Sequence, residues 1–302
     1  MTNEKEVFLP NFMCVGVVKA GTTTLHHALL HHPNIFLPRV KETFFFSSNK
    51  YYRRGVPWYL EQHFSGAEMY SFRGEIAPTY FYHSEKVSQR LAALYREREL
   101  KLIIIFRDPV ARAYSHYWHM RRLGWEKELS FEKALALEKQ RKKRVLKKNE
   151  ANGKDRFAYF ESGLYASKLK PFLIEFPKNK ILFLLLDDLK YDYDGTISDV
   201  LKFIGAPNLH LPYEYRNEAR IADNSLTMFW NRGHRSVKAF VRKSIPGGLR
   251  SRVTNTLGIH KTRPFKYPRM AAKLEANLRE RYKDEIVELA ALTDRDLSAW
   301  LP

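Results

Sequence analysis

The chain has 302 residues, 44% of them hydrophobic with 20 Phe and 17 Tyr, which supplies a large α/β core and excludes wholesale disorder. A net charge of +19 favours polyanionic partners, such as nucleotides, nucleic acid, sulfated or phosphorylated substrates or acidic membrane surfaces, without choosing among them. The single cysteine, Cys14, excludes an intrachain disulfide and fits a reducing compartment.

The first eleven residues lack an apolar run after a basic start, so no secretory signal is expected. No stretch of about eighteen apolar residues appears, so no transmembrane helix is expected and the reading is cytoplasmic. Phe12 to Val18 reads as an apolar strand, followed by a tight turn at Lys19-Ala20-Gly21 and a helix opened by Thr22-Thr23-Thr24. Such a junction aims backbone N–H groups and the positive end of a helix dipole at one spot, which suits a phosphate. Gly16 and Gly21 keep the spacing of a nucleoside-triphosphate P-loop, but Thr22 stands where that loop has its lysine, and the nearby lysine is Lys19. The loop therefore fits an anionic nucleotide group other than the β/γ end of a triphosphate. The alternative is a plain βα turn whose threonines only cap the helix.

Ile35–Leu37 resumes an extended path, and Lys41-Glu42-Thr43-Phe44-Phe45-Phe46 sets an acid beside three aromatic rings. Glu42 reads either as a solvated loop residue or as a carboxylate made a better proton acceptor by apolar neighbours. Residues 51–64 are aromatic and partly helical from Pro57. Ser71–Ile76 is a short strand stopped by Ala77-Pro78, and a helix runs from Ser84 to about Arg98. Lys101–Phe106 is a continuous apolar strand of the kind buried on both faces of a parallel sheet. Asp108 as N-cap and Pro109 as first helical residue then start a helix that carries Arg112, Ser115, His116 and His119 on one face. Arg107 is thereby held at the carboxyl end of a central strand, where ligands lie in open α/β sheets, and with Ser115 it forms a second anion site. A structural ion pair is the alternative role for Arg107.

Residues 125–149 read as a charged helical insert whose Lys/Arg run is a solvated face, with nucleic-acid binding the minority reading because no reading motif accompanies it. A helix from Ser162 to about Pro177, a strand at Lys180–Leu186 and a helix at Thr196–Ile204 closed by Gly205 follow. Strands thus alternate with helices from residue 12 to 205, the pattern of a parallel sheet covered on both sides. Residues 207–268 are loop-rich and basic, with one helix expected near Leu226–Val241 and a cationic loop at Leu257–Pro264. Met270, Leu274, Leu278, Tyr282, Ile286 and Leu289 trace a last amphipathic helix that must pack on the main body. One domain, 1–302, is expected, with its core at about 10–206 and a basic loop and helical part at about 207–302.

With both anion motifs placed, the chain resembles the sulfotransferases that use 3′-phosphoadenosine 5′-phosphosulfate (PAPS), leaning toward the heparan-sulfate-type and related bacterial branch. Lys19 to Leu25 looks like the family's 5′-phosphosulfate loop and Phe106 to Tyr117 like its 3′-phosphate element, in the family's order and separation. Gly74-Glu75-x-x-Pro78-x-Tyr80, Gly163-x-Tyr165 and the ending Asp294-Arg295-Asp296-Leu297-Ser298-x-Trp300 are further matches. The resemblance implies a P-loop-like α/β fold with a central parallel sheet flanked by helices. It implies that Lys19 contacts the transferring sulfuryl group and that Ala20, Gly21, Thr22, Thr23 and Thr24 help hold the 5′-phosphate. Arg107 and Ser115 would bind the 3′-phosphate, Lys261, Thr262 and Arg263 would form a late basic loop over it, and Glu42 would be the catalytic base. The reaction implied is in-line sulfuryl transfer to a hydroxyl, or in second place an amine, of a sugar-like or other small acceptor, with adenosine 3′,5′-bisphosphate as product and no metal. Two departures stand out: Ile76 occupies a position where that branch commonly has lysine, and the branch's C-terminal disulfide is impossible here. A basic nucleic-acid-binding protein and a P-loop nucleotide kinase are the competing readings.

Overall fold

Strands β1 (Phe12–Gly16), β2 (Ile35–Phe36), β3 (Phe72–Ile76), β4 (Lys101–Phe106) and β5 (Ile181–Leu185) form one parallel sheet in the order β2-β3-β1-β4-β5. The structure is a computed structural model and describes residues 8–147, 156–213, 220–222 and 262–302. All five residues of β1 are buried, as are the last five of β4, so helices must cover both faces. That double burial explains the near-continuous apolar runs in the sequence. Truncating a branched side chain in such a sheet costs about 2–5 kcal/mol.

The register sets Phe12 opposite Gly74 on β3, where an added Cβ would lie 2.1 Å from the Phe12 ring, so only glycine fits beneath it. From β1 the chain departs to β2 and β3 on one side, whereas β4 and β5 lie on the other. The carboxyl ends of β1 and β4 therefore flank the topological switch point, where open α/β sheets place their crevice.

The helices are α1 (Thr22–Leu30), α2 (Asn49–Tyr52), α3 (Gly55–His63), α4 (Ser84–Leu94), α5 (Pro109–Arg122), α6 (Phe131–Ala136), α7 (Glu138–Lys147), α8 (Tyr165–Glu175), α9 (Leu186–Tyr191), α10 (Tyr193–Ile204) and α11 (Ala272–Thr293). A separate antiparallel ribbon joins β6 (Arg220–Ala222) to β7 (Thr262–Pro264). The last amphipathic helix packs as its pattern requires: Leu278, Tyr282, Ile286 and Leu289 are buried, and the Tyr282 ring stacks on Phe160 with centroids 4.4 Å apart.

Several boundaries differ from expectation. The first strand ends at Gly16 rather than Val18, because the chain already turns there toward the left-handed Lys19. Helix α4 stops at Leu94: Tyr95 leaves helical backbone at φ −104 and ψ 19, and its hydroxyl donates to the Pro10 carbonyl at 2.7 Å. Helix α8 begins at Tyr165 after a 3-10 turn at Glu161–Gly163, and α10 begins at Tyr193, capped by Asp192. Leu186 opens α9 instead of closing the strand, because the Asp188 carboxylate takes the Leu185 N–H at 2.8 Å. The charged insert is two helices, the first N-capped by Ser130, and its basic run is not simply a solvated face. Arg141 forks onto the buried Glu126 carboxylate, and Lys142 pairs with Glu161 at 2.7 Å. The helix expected near Leu226–Val241 lies outside the described residues, as does Lys261.

Candidate functional site

A cleft of about 890 Å³ opens at the switch point. The loop after β1 supplies one wall. Lys19 and Gly21 both take left-handed backbone, φ 74 and φ 86, which turns the chain sharply into α1. The positive φ at Gly21 favours glycine, and an added Cβ would also meet the end of the Leu186 side chain at 2.7 Å, which would have to shift. The first intrahelical bonds of α1 run from the Thr24 and Leu25 N–H groups to the Gly21 carbonyl, at 2.9 and 3.2 Å. The first-turn N–H groups before them have no intrahelical acceptor, which leaves a positive helix end at the cleft. Thr22, Thr23 and Thr24 all line it, while the Ala20 side chain is buried beneath the turn.

The second wall comes from β4 and α5. Asp108 caps α5 by accepting from the Val110 and Ala111 N–H groups at 2.8 and 3.0 Å, and Pro109 occupies the first helical position. Arg107 and Ser115 both face the cleft, and Arg107 Nη1 donates to the Lys19 carbonyl at 3.0 Å. The two anion motifs, 88 residues apart in the chain, are therefore adjacent walls of one cavity.

Electrostatics follow from that crowding. Burial, with Arg122, Arg107 and Lys41 nearby, lowers the Lys19 ammonium to about 8. Burial also lowers Lys41 and Arg107. His119 falls to about 3 through burial and the charges of Lys19 and Arg122, so its imidazole is neutral at any working pH.

Glu42 stands on the border between this cleft and a second, smaller pocket of about 280 Å³, and lines both, as do His119 and Pro78. Val17, Phe44 and Phe81 supply apolar surface in the smaller pocket, with Arg112, His116 and Arg156 among its other polar groups. Glu42 is half-buried with φ 64, so it is not the solvated loop residue that the plainer reading describes.

Lys41, Arg122, Lys190, Lys266, Tyr213, Phe265 and Tyr267 also line the cleft, and the sequence reading gave none of them a role. Lys41 Nζ donates to Thr23 Oγ1 at 3.2 Å and lies 3.5 Å from Thr22 Oγ1, which brings a second lysine to the phosphate loop. Its position beside Glu42 was the one available signal. Thr262 and Arg263 belong to β7, and the chain leaving that strand runs along the cleft at Phe265–Tyr267. It is fastened to α5 by Tyr267 stacking on Trp118 (5.9 Å) and by the Tyr114 hydroxyl donating to the Pro268 carbonyl at 2.9 Å. Among the described residues no three His, Cys, Asp or Glu side chains gather as a metal site, and no helix is long and apolar enough to cross a membrane.

The sulfotransferase domain family matches residues 9–258. The chain is 30% identical to the bifunctional heparan sulfate N-deacetylase/N-sulfotransferase 4 of Mus musculus over 323 residues, covering 97% of this chain and 31% of that protein. It is 28% identical over 203 residues to the heparan sulfate glucosamine 3-O-sulfotransferase 3B1 of Mus musculus, covering 65% of this chain and 46% of that one. The chain thus spans about a third to a half of the length of these relatives. In fold it is similar to the crystal structure of a sulfotransferase from Alicyclobacillus acidocaldarius, at TM-score 0.70 and 24% identity, covering 97% of this chain and 98% of that one.

Proposed function

Because the chain belongs to the PAPS-dependent sulfotransferase domain family, we propose that it transfers a sulfuryl group from PAPS to a hydroxyl of a sugar-like or other small acceptor, an amine being the second choice. Relatives named for N- and for O-sulfation both support a sugar acceptor without separating the two chemistries. The observation that carries the reading is the 3.0 Å bond from Arg107 to the Lys19 carbonyl, which joins two cationic anion sites in one cleft.

The donor set fits a nucleotide with phosphates at two positions. The α1 N-terminus, Lys19, Lys41 and Thr22–Thr24 would hold the 5′ end, and Arg107 with Ser115 the 3′-phosphate. The aromatic side chains of Tyr213, Phe265 and Tyr267 offer flat surfaces for a base. When bound, PAPS supplies the sulfuryl group and a phosphate leaving group. Lys19 and Lys41, both at the wall formed by the phosphate loop, would place positive charge where negative charge grows on that phosphate. Glu42, at the border of the two pockets, takes the proton of the acceptor hydroxyl on a carboxylate oxygen, and the smaller pocket seats the acceptor. Lys261, Thr262 and Arg263 remain proposed contacts to the 3′-phosphate. A cytoplasmic setting is supported by the lone cysteine, which is buried in β1.

Titration calorimetry with adenosine 3′,5′-bisphosphate and with 5′-AMP tests the cleft. Arg107→Ala should weaken the bisphosphate by roughly 10- to 100-fold, the loss of charge-assisted bonds worth about 1.5–3 kcal/mol, and leave 5′-AMP nearly unchanged. Equal loss for both nucleotides would sink the 3′-phosphate assignment. A radiolabelled-sulfate transfer screen over sugars, phenols and amines then identifies the acceptor class.

A further inference from the structure

Glu75 is a carboxylate wholly enclosed in the protein, 1% exposed, at the end of β3. It lines neither the cleft nor the smaller pocket. Four donors converge on it. Its Oε1 accepts from the Thr43 N–H at 3.2 Å, the Thr43 hydroxyl at 2.6 Å and the Tyr80 hydroxyl at 2.9 Å, and its Oε2 accepts from the Tyr59 hydroxyl at 2.6 Å. Such a set of donors suits the ionised, acceptor-only form. Burial pushes the carboxyl up, and the four hydrogen bonds pull against that push.

A buried carboxylate is costly and unnecessary for packing, since an apolar side chain of similar volume would fill the space. What it secures is Thr43, and Thr43 lies between two left-handed residues that are not glycine, Glu42 at φ 64 and Phe44 at φ 60. Each costs on the order of 1–3 kcal/mol unless the surroundings enforce it. Enforcement comes from both ends of the strap. Lys41 reaches Thr23 on the phosphate loop, the Phe46 N–H reaches the Tyr80 hydroxyl at 3.4 Å, and the Thr43 backbone and side chain are both locked to Glu75 between them.

We propose that Glu75 is a positioning residue, which acts through Thr43 to set the strained backbone that holds the Glu42 carboxylate at the border of the two pockets. The proposal rests on the reading of Glu42 as the base. It assigns the Gly74-Glu75 pair two jobs on one strand: glycine admits the Phe12 ring, and the acid anchors the catalytic strap.

The test is a double-mutant cycle between Glu75→Gln and Glu42→Gln. The readouts are sulfuryl transfer from radiolabelled PAPS to glucosamine (or, failing that, to water), affinity for adenosine 3′,5′-bisphosphate, and Tm. Glu75→Gln alone should lower kcat by roughly tenfold and leave bisphosphate affinity within about twofold. In the Glu42→Gln background the residual rate should be unchanged within about twofold, because there is no longer a base to misplace. A general structural defect would instead cut both backgrounds equally. If Glu75→Gln is unfolded at the assay temperature, Thr43→Val runs the same cycle, since it keeps the bonds of Tyr59 and Tyr80 to Glu75. The positioning role fails if the loss is equal in both backgrounds, if bisphosphate affinity falls in parallel with kcat, or if the single variant works at full rate. A fully active Glu42→Gln overturns the base assignment and this role with it. A crippled Glu42→Gln beside a fully active Glu75→Gln overturns this role alone.

Discussion

Lys19 is the residue where the local chemistry is most exposed to pH. Burial and the neighbouring charges of Arg122, Arg107 and Lys41 lower its ammonium to about 8, against an ordinary value of 10.5. A polyanionic nucleotide binds the protonated form, and rising pH removes that proton, so the sign is fixed: affinity is full below about 8 and declines above it. For adenosine 3′,5′-bisphosphate the decline should approach roughly tenfold per pH unit on the alkaline side. Lys19→Arg keeps its charge throughout this range and should abolish that limb, although its wider head fits the turn less well. Calorimetry from about pH 6.5 to 9.5 on both proteins checks this. A flat profile for the unsubstituted chain would mean that Lys19 does not face the bound phosphate. The low value of about 3 at His119 adds no competing limb, because that imidazole is neutral across the whole interval.

At the scale of elements, the start of α5 bears the greatest burden, since Asp108 both caps the helix and receives Arg279 Nη2 from α11 at 3.1 Å. Asp108→Ala should destabilise the protein by about 1–2 kcal/mol, a Tm drop of roughly 2–8 °C, and weaken bisphosphate binding severalfold by loosening Arg107. Asp108→Asn preserves the cap and loses only the charge toward Arg279, so thermal melts of the pair separate the two contributions. This start was legible from Asp-Pro after an apolar run, and β4 was found at its expected bounds, because the junction between them is marked by Asp108 and Pro109, residues with a strong preference for a helix start. Helix α9 was not legible. Its six residues follow β5 without a break, and the signal that starts it is a single carboxylate, Asp188, reaching back to the Leu185 N–H. The same distinction runs through the cleft. Lys19, Gly21, Thr22–Thr24 and Arg107 sit at strand ends and helix starts, where local pattern implies geometry; Ser115 lies farther along α5 on a helix face that the spacing predicts, and Glu42, one of two readings from its aromatic neighbours, is singled out as base by resemblance. Arg122, Lys190 and Phe265–Tyr267 reach the cleft through packing between distant segments, and nothing in their local sequence separates them from ordinary surface residues, whereas Lys41 is marked only by its place beside Glu42.

For the molecule as a whole, the +19 charge and the cleft point in the same direction. Lys19, Lys41, Arg107, Arg122, Lys190 and Lys266 line the cavity, with Glu42 the acidic side chain on its wall. A concave site of one sign within a body of the same sign focuses the field, which raises the encounter rate of a small polyanion more than it holds the polyanion once bound. Ions screen that field over about 10 Å at 0.1 M salt, whereas contacts within the partly buried cleft are screened much less. Raising sodium chloride from about 0.05 to 0.5 M should therefore lower the association rate of adenosine 3′,5′-bisphosphate by on the order of tenfold and leave its dissociation rate within about twofold. Stopped-flow binding of the nucleotide across that range measures both rates. If dissociation carries the salt dependence instead, the long-range field contributes little, and the excess charge serves another anionic partner.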